Sequence, residues 1–217
     1  MNHDTARDDV FTWPRLYDWA SRLCTCGRHA RVYATAADLL AAHAPASILD
    51  VGSGTGALAI ALRHRFPASD VLGIEPGGPM VARARAKAAR DGLDIDFRQG
   101  YGQQLPLDDD AVDAVTISLA LHHVAEGQVP DVLAEARRVL RPGGVLLVIE
   151  FAPSGRVVRL VSPHPHGHAL TEYADHVRRA GFVGVRAGRV TSRMLGYVCA
   201  LAPTVPARAD AGKSDHP

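Results

Sequence analysis

The chain has 217 residues, enough for one ordinary domain and too few for two of typical size. It is 47% hydrophobic and 22% charged, as soluble globular proteins are, and its net charge of +1 lacks the basic excess of nucleic-acid-binding proteins. No apolar run approaches the roughly 20 residues that cross a bilayer. We therefore predict one globular domain with no membrane span and no nucleic-acid partner.

The segment before the first predicted strand, residues 1–46, has helical patterns and is predicted to form a helical cap on the domain. Its first residues carry mixed charges and lack the apolar stretch of a secretory signal, so we expect a cytoplasmic location. The three cysteines, Cys24, Cys26 and Cys199, cannot all pair with one another. Their odd number favours reduced thiols over a disulfide framework.

From residue 47 onwards, short continuous apolar runs alternate with amphipathic stretches of helical period. Buried parallel strands and their crossover helices give this pattern. It predicts an α/β fold with a Rossmann-like, doubly wound and mostly parallel sheet that carries helices on both faces. The predicted strands are 48–51, 71–75, 95–99, 112–118 and 145–150, with helices after the first two strands and over 129–140.

Beyond residue 150, a loop rich in proline, glycine and histidine precedes a predicted helix over 171–180 and two strand-like runs over 182–190 and 195–201. Strands joined by a short turn are antiparallel, so the sheet is expected to end in a hairpin. The α/β domain is thus predicted over 47–202, followed by a flexible tail over 203–217 that has few large apolar side chains.

A glycine-rich loop follows the first predicted strand, where Gly52 and Gly54 let the backbone turn sharply and approach a ligand. The same glycines with Ala57 also satisfy the relaxed dinucleotide-binding pattern, so spacing alone does not identify the ligand. The charge of Asp50 distinguishes the two kinds of ligand, because a carboxylate is unfavourable beside a pyrophosphate and favourable beside a cation. It therefore favours S-adenosylmethionine, which carries an ammonium and a sulfonium.

Glu75 ends the second predicted strand, where a carboxylate can accept hydrogen bonds from both hydroxyls of a ribose. This position supports either nucleotide cofactor. The ordinary alternative for Asp50 and Glu75 is that each is a solvated strand end, an interpretation that leaves the neighbouring glycines unexplained.

An ordered series of motifs covers about 100 residues of the chain: DVGSGTG at 50–56, GIEP at 73–76, LP at 105–106, VDAV at 112–115, LHHV at 121–124 and RVLRPGG at 138–144. In that order they resemble the motifs of class I S-adenosylmethionine-dependent methyltransferases. Tyr17-Asp18 and Gly27-Arg28-His29 resemble, over a shorter stretch, the N-terminal region of the ubiquinone/menaquinone biosynthesis C-methyltransferases within the methyltransferase domain 11 group.

The resemblance implies a role for each part of the cofactor site. It places the methionine part of S-adenosylmethionine on the loop from Gly52 to Gly54, the ribose on Glu75, and the adenine beside Pro76 and Met80. The predicted cofactor-binding residues are Asp50, Gly52, Ser53, Gly54, Glu75, Pro76, Met80, Tyr101, Gly102, Gln103 and Ser118.

One position departs from the family pattern. Members of the family commonly carry an aspartate and a small residue where this chain has Tyr101 and Gly102, and the aspartate accepts a hydrogen bond from the adenine amino group. A tyrosine ring can stack on the base, and the backbone of Gly102 and Gln103 can still reach it, but a phenol does not replace a carboxylate as acceptor. We expect adenine recognition to be weaker or altered.

His122 and His123 follow the fourth predicted strand at the edge where doubly wound sheets form their sites. Methyl transfer requires an aligned nucleophile and, for many acceptors, a base that removes a proton, which histidine can supply. Adjacent side chains usually point in different directions, so at most one of the two is expected to face the substrate. The alternative, that both histidines cap local backbone groups, stays open.

The N-terminal helices are expected to cover the site, which makes Tyr17, Arg28, His29 and Tyr33 the predicted substrate-pocket residues. Their ordinary alternative is an exposed helix surface. A metal alternative also exists, since Cys24 and Cys26 together with His164, His166 and His168 offer thiolate and imidazole ligands. The Cys-x-Cys spacing is uncommon among zinc sites, so no metal is predicted.

These observations predict an enzyme that transfers a methyl group from S-adenosylmethionine to a carbon, oxygen or nitrogen atom of a small molecule, with aromatic or quinone-like acceptors favoured, and releases S-adenosylhomocysteine. An alternative function is a cofactor-binding module that transfers no methyl group, which Tyr101 keeps open. A nicotinamide-dependent oxidoreductase is disfavoured by Asp50 and by the lack of a separate substrate domain. The sequence is compatible with a homodimer.

Overall fold

The computed structural model describes residues 29–152, 169–190 and 195–204. These residues form seven strands, β1 (Ser47–Val51), β2 (Asp70–Glu75), β3 (Asp96–Gln99), β4 (Val112–Ser118), β5 (Leu140–Phe151), β6 (Val183–Arg189) and β7 (Leu195–Leu201). The helices are α1 (His29–Ala41), α2 (Ala57–Arg65), α3 (Gly78–Arg90), α4 (Val129–Val139) and α5 (Leu170–Arg179), with short 3-10 turns at Leu121–His123 and Glu126–Gln128.

The strands form one sheet in the order β3-β2-β1-β4-β5-β7-β6. Strands β1 to β5 pair in parallel, and β7 pairs antiparallel with both β5 and β6. The chain builds outwards from β1 to β3 and then crosses to β4 on the other side of β1. Ligands of such sheets bind at this reversal, outside the carboxyl ends of the strands. The predicted doubly wound sheet with its C-terminal hairpin is confirmed.

Two apolar clusters cover the two faces of the sheet. Consecutive residues Ile48 and Leu49 of β1 belong to opposite clusters, as do Leu147 and Leu146 of β5, because side chains alternate along a strand. Helices α1, α2 and α3 contribute to one cluster, and α4 and α5 contribute to the other. The strands between the two edge strands are therefore buried on both faces, which explains their continuous apolar runs and confirms helices on both faces. The edge strands differ, because β3 has one buried residue and β6 has none.

The start of β5 differs from the prediction. Residue Leu140 follows α4 directly, adopts an extended backbone with φ −77° and ψ 130°, and pairs with Val112. The register between β4 and β5 then shifts, and Gly143 within this stretch has φ +78°. The RPGG motif thus lies inside an irregular first part of the strand, where the sequence predicted a loop before residue 145.

The predicted helical cap is described only over α1, and the predicted tail only as far as residue 204. Across the described ranges, no helix combines the length and the apolar character needed to cross a membrane.

Candidate functional site

A cavity of about 450 Å³ opens at the carboxyl ends of β1, β2 and β4. Its volume lies in the range of roughly 300–1,000 Å³ that is usual for small-molecule sites. Nine predicted site residues line it: Gly52, Gly54, Glu75, Pro76, Met80, Tyr101, Gly102, Gln103 and His123. The fold therefore brings together loops that are far apart in the sequence.

A second cavity, of about 350 Å³, adjoins the first and shares Gly52, Gly54 and Leu119 with it. The predicted residues Asp50, Ser53, Ser118 and Tyr33 line this second cavity. The two cavities meet at the glycine loop, so a ligand that bridges the loop can extend into both.

The glycine loop requires its glycines for both conformation and packing. Gly52 and Gly54 have φ values of +69° and +54°, in the left-handed region that favours glycine. The Gly52 N–H donates to the carbonyl of Ile74 at 2.8 Å, which ties the loop to the end of β2. A Cβ atom on Gly52 would lie only 2.4 Å from the Cβ of Ala120, so the loop packs closely against the segment that follows β4.

The Glu75 carboxylate links the loop to the end of β2. One oxygen accepts from the N–H of Gly54 at 3.0 Å and the other accepts from the N–H of Gly77, also at 3.0 Å. Burial raises the pKa of Glu75, and the two N–H donors offset part of this effect. A carboxylate oxygen can accept more than one hydrogen bond, so Glu75 retains acceptor capacity for the hydroxyls of a ligand.

Asp50 is almost completely buried, with 2% of its surface exposed. Its Oδ1 accepts from the Thr116 hydroxyl at 2.8 Å, and the backbone N–H of Ala59 also donates to the carboxylate. Neither donor carries a positive charge. Burial raises the pKa of Asp50 to about 7, although both hydrogen bonds lower it.

The third wall of the larger cavity is the turn after β3. Tyr101 forms an isolated bridge with Gln104 and is 63% exposed, while the Gln103 side chain donates to the side-chain oxygen of Gln128 at 3.2 Å. A Cβ atom on Gly102 would lie 2.9 Å from the Val51 side chain, so the turn passes close to the end of β1. This turn therefore lines the same cavity as Pro76 and Met80.

The two adjacent histidines have different surroundings. His123 lines the larger cavity. The His122 side chain is only 5% exposed, and its Nδ1 lies 2.8 Å from an oxygen of Glu150. The ring centroids of the two histidines are 4.0 Å apart, and the edge of the Phe151 ring packs against His122.

Glu150 was not among the predicted site residues. It is 1% exposed, ends β5 next to Phe151, and accepts hydrogen bonds from the N–H groups of Ala120 and Leu121 at 2.8 and 2.7 Å. Its position resembles that of Glu75, since each carboxylate follows a buried apolar strand. That parallel was the sequence signal that could have identified it.

Several predicted residues lie outside the described ranges. Tyr17 and Arg28 are among them, and of His29 only the backbone at the start of α1 is described. The alternative metal ligands Cys24, Cys26, His164, His166 and His168 also fall outside. In the part of the chain that is described, no three metal-ligating side chains cluster, and Cys199 is a buried free thiol.

A family model described as a methyltransferase domain matches residues 48–144, which include the ends of β1, β2 and β4 that border the larger cavity. A demethylmenaquinone methyltransferase from Thermus thermophilus is 42% identical over 63% of this chain, and a ubiquinone/menaquinone biosynthesis C-methyltransferase from Dinoroseobacter shibae is 37% identical over 63% of it. The resemblance to the class I methyltransferases of quinone biosynthesis is confirmed.

The crystal structure of a SAM dependent methyltransferase from Aquifex aeolicus superposes with a TM-score of 0.64 and 24% sequence identity, covering 72% of this chain and 81% of that one. This similarity supports the same fold for the matched part of this chain. The sequence matches cover 61% of the Thermus thermophilus protein and 54% of the Dinoroseobacter shibae protein.

Proposed function

We propose that the protein is an enzyme that transfers a methyl group from S-adenosylmethionine to a small-molecule acceptor. One observation carries this proposal: a single cavity at the carboxyl ends of the strands joins the glycine loop, Glu75 and the turn after β3. Aromatic, quinone-like acceptors are favoured because the two similar relatives are named as quinone-pathway methyltransferases. A net charge of +1 favours such an acceptor over a nucleic acid.

The residues present fit the proposed cofactor. Asp50 offers a buried carboxylate beside the glycine loop, and within the described ranges the buried Ser53 hydroxyl has no hydrogen-bond partner. These two groups and Ser118 line the smaller cavity, where the methionine part would lie. Glu75 would bind the ribose, and the adenine would lie between Met80 and the turn at Tyr101.

When bound, S-adenosylmethionine supplies a methyl carbon on a positively charged sulfur and leaves as S-adenosylhomocysteine. The chain itself has to align the acceptor with that carbon and to remove the acceptor's proton. The apolar side chains of Ile117, Leu121 and Val124 line the cavity and suit an aromatic ring. A histidine at this edge of the sheet would take the proton.

The proposal extends to the organisation of the whole protein. Residues 1–46 would cap the site and place Tyr17, Arg28, His29 and Tyr33 around the acceptor, and residues 203–217 would form a flexible tail. Of these residues, Tyr33 lines the smaller cavity from α1. We further propose a cytoplasmic enzyme, and a homodimer is compatible with the proposal. A binding module without methyl transfer is not favoured, because the similar relatives are named as methyltransferases.

Calorimetric titration of the purified chain with S-adenosylmethionine, S-adenosylhomocysteine and reduced nicotinamide dinucleotide tests the cofactor. Saturable binding of the first two alone is expected. Transfer of a labelled methyl group to short-chain demethylated quinols then tests the acceptor. Absence of S-adenosylmethionine binding, or binding of the nicotinamide dinucleotide, would contradict the central claim, and binding without transfer to any acceptor would favour the binding module.

A further inference from the structure

The segment that follows β4 forms one wall of the larger cavity through Ala120, Leu121 and His123. The end of β5 holds this segment in place by one buried carboxylate. The Oε1 atom of Glu150 accepts from the N–H groups of Ala120 and Leu121, and its Oε2 atom lies 2.8 Å from the His122 ring. The two oxygens therefore have different partners.

This division of partners determines the tautomer of His122. An ionised carboxylate can only accept hydrogen bonds, so Nδ1 of a neutral His122 ring must carry the proton that faces Glu150. The Nε2 atom then has no proton. The His122 ring is nearly buried between the edge of Phe151 and the ring of His123, so its orientation is fixed by contacts on three sides.

We propose that Glu150 and His122 are positioning residues, and that His123 is the catalytic residue that contacts the methyl acceptor and takes its proton. The inference rests on the proposed function and selects between two adjacent histidines. As the bond between the acceptor and the methyl carbon forms, the carbon–sulfur bond breaks and its electron pair goes to sulfur. The proton of the acceptor moves to the unprotonated nitrogen of His123 and is later released to water.

The variant Glu150→Gln tests the positioning pair while keeping the two short hydrogen bonds to the N–H groups of Ala120 and Leu121. It gives up only the longer hydrogen bond, at 3.3 Å, that the Phe151 N–H donates to Oε2. Its amide oxygen has to face the N–H groups of Ala120 and Leu121, which leaves the amide NH₂ facing Nδ1 of His122. An NH₂ group can only donate, so the proton of the neutral His122 ring must move to Nε2. Two-bond ¹H–¹⁵N correlation spectra distinguish the two tautomers and require no enzymatic activity.

The expected spectrum of the wild-type protein shows His122 protonated at Nδ1, and that of Glu150→Gln shows it protonated at Nε2. Glu172→Gln is the matched control, because Glu172 also accepts from a backbone N–H, at 2.9 Å from Ala169, but caps the distant helix α5. This control should leave the His122 signals unchanged. An unchanged His122 tautomer in Glu150→Gln would overturn the positioning pair.

Kinetics of three variants test the role of His123. His123→Gln should lower kcat by about 100-fold or more, the range typical of a lost general base, while the Kd for S-adenosylmethionine stays unchanged. His122→Gln and Glu150→Gln should lower kcat by a smaller factor, also at an unchanged Kd. A larger loss in His122→Gln than in His123→Gln would overturn the assignment, as would an unchanged kcat in His123→Gln.

These outcomes are distinct from a failure of the proposed function. If the wild-type protein binds no S-adenosylmethionine or transfers no methyl group, the proposed function fails and the catalytic role of His123 fails with it. The tautomer experiment still tests the Glu150 and His122 pair in that case. If the wild-type protein transfers a methyl group but the variants do not show the expected changes in tautomer or kcat, the proposed function stands and only the roles given to Glu150, His122 and His123 fail.

Discussion

Tyr101 stands at the rim of the larger cavity, where 63% of its surface is exposed. A carboxylate at this position could accept a hydrogen bond from the adenine amino group, and the phenol is the poorer acceptor. We predict that Tyr101→Asp lowers the Kd for S-adenosylmethionine by several-fold, measured by calorimetry. Tyr101→Asn is the control for loss of the ring without gain of a charge. An affinity for S-adenosylmethionine that is unchanged in Tyr101→Asp would contradict altered adenine recognition.

Glu75 allows a second prediction at the scale of one residue. Glu75→Gln presents an NH₂ group to either Gly54 or Gly77, which both need an acceptor, and it weakens the acceptor offered to the ribose. Hydrogen bonds to charged groups contribute about 1.5–3 kcal/mol, so the Kd for S-adenosylmethionine should rise by roughly 10-fold or more. Calorimetry measures this change, with Glu172→Gln as the control. Equal affinities in Glu75→Gln and wild type would refute the ribose assignment.

The sequence was informative about single residues where the chemistry is local. Asp50, the glycines and Glu75 lie at strand ends that the apolar pattern locates, so their convergence at one edge was predictable. Glu150 was missed because its partners lie about 30 residues earlier in the chain and are mostly backbone N–H groups. A sequence motif of side chains does not indicate such partners. The choice between His122 and His123 was unpredictable for a different reason, since a 3-10 turn of three residues is too short to show a repeating pattern.

An aromatic ring of β3 packs closely against β2. Phe97 of β3 pairs in register with Gly73 of β2, and a Cβ atom on Gly73 would lie only 2.4 Å from that ring. Gly73→Ala should therefore lower the free energy of unfolding by about 1–3 kcal/mol, the usual cost of overpacking, measured by urea denaturation. Gly127→Ala is the control, because its added methyl group meets no atom within 4 Å.

The double variant Gly73→Ala/Phe97→Ala separates overpacking from other causes. An alanine at 97 removes both ring atoms, Cδ1 and Cε1, that the added methyl group would meet, so the cost of Gly73→Ala should be smaller in the Phe97→Ala background than in the wild type. If the two costs are equal, contact with the Phe97 ring is not the reason for the glycine.

The helices and strands were predictable from the sequence where burial determines the apolar pattern. Strands flanked by helices on both faces are apolar throughout, so their number, order in the chain and C-terminal hairpin followed from the pattern. The start of β5 did not follow. Proline and glycine at 142–144 indicate a break, but the backbone there still pairs, since Gly143 donates to the carbonyl of Ala202 and Gly144 accepts from the Ala202 N–H.

At the scale of the whole molecule, the buried carboxyl groups of the candidate site lower the free energy of unfolding of the protein. Asp50 and Glu75 are buried carboxyl groups with raised pKa values, so ionising them in the folded protein costs free energy. Asp113 and Glu135, at surface ion pairs with Arg141 and Arg138, have lowered pKa values and act in the opposite direction. Stability across the acid range therefore depends on two opposing sets of carboxylates.

Asp50→Asn isolates the first set. The pKa of Asp50 is raised from 3.8 to about 7, so the folded protein holds a proton that the unfolded chain releases, and stability falls as pH rises through this interval. Asparagine keeps an acceptor for the Thr116 hydroxyl but has no such proton. Measured by urea denaturation, the advantage of Asp50→Asn over wild type should grow by a few kcal/mol between about pH 4 and pH 7.5 and then level off.

The control for this experiment is Asp113→Asn, whose pH dependence should have the opposite sign and lie at lower pH. Burial acts to raise the pKa of Asp113, but its hydrogen bonds with Arg141 and Ser47 outweigh burial and lower it, so the wild type gains stability over Asp113→Asn as pH rises from the lowered pKa to the unfolded-chain value of 3.8, and the difference levels off above it. Saturating S-adenosylmethionine should reduce the effect at Asp50, because a bound cation favours its carboxylate and lowers its pKa in the folded state. If the stability difference between Asp50→Asn and wild type stays constant from pH 4 to pH 8, ionising Asp50 in the folded protein costs no free energy. Other groups would then have to provide the electrostatic basis for cation binding at the glycine loop.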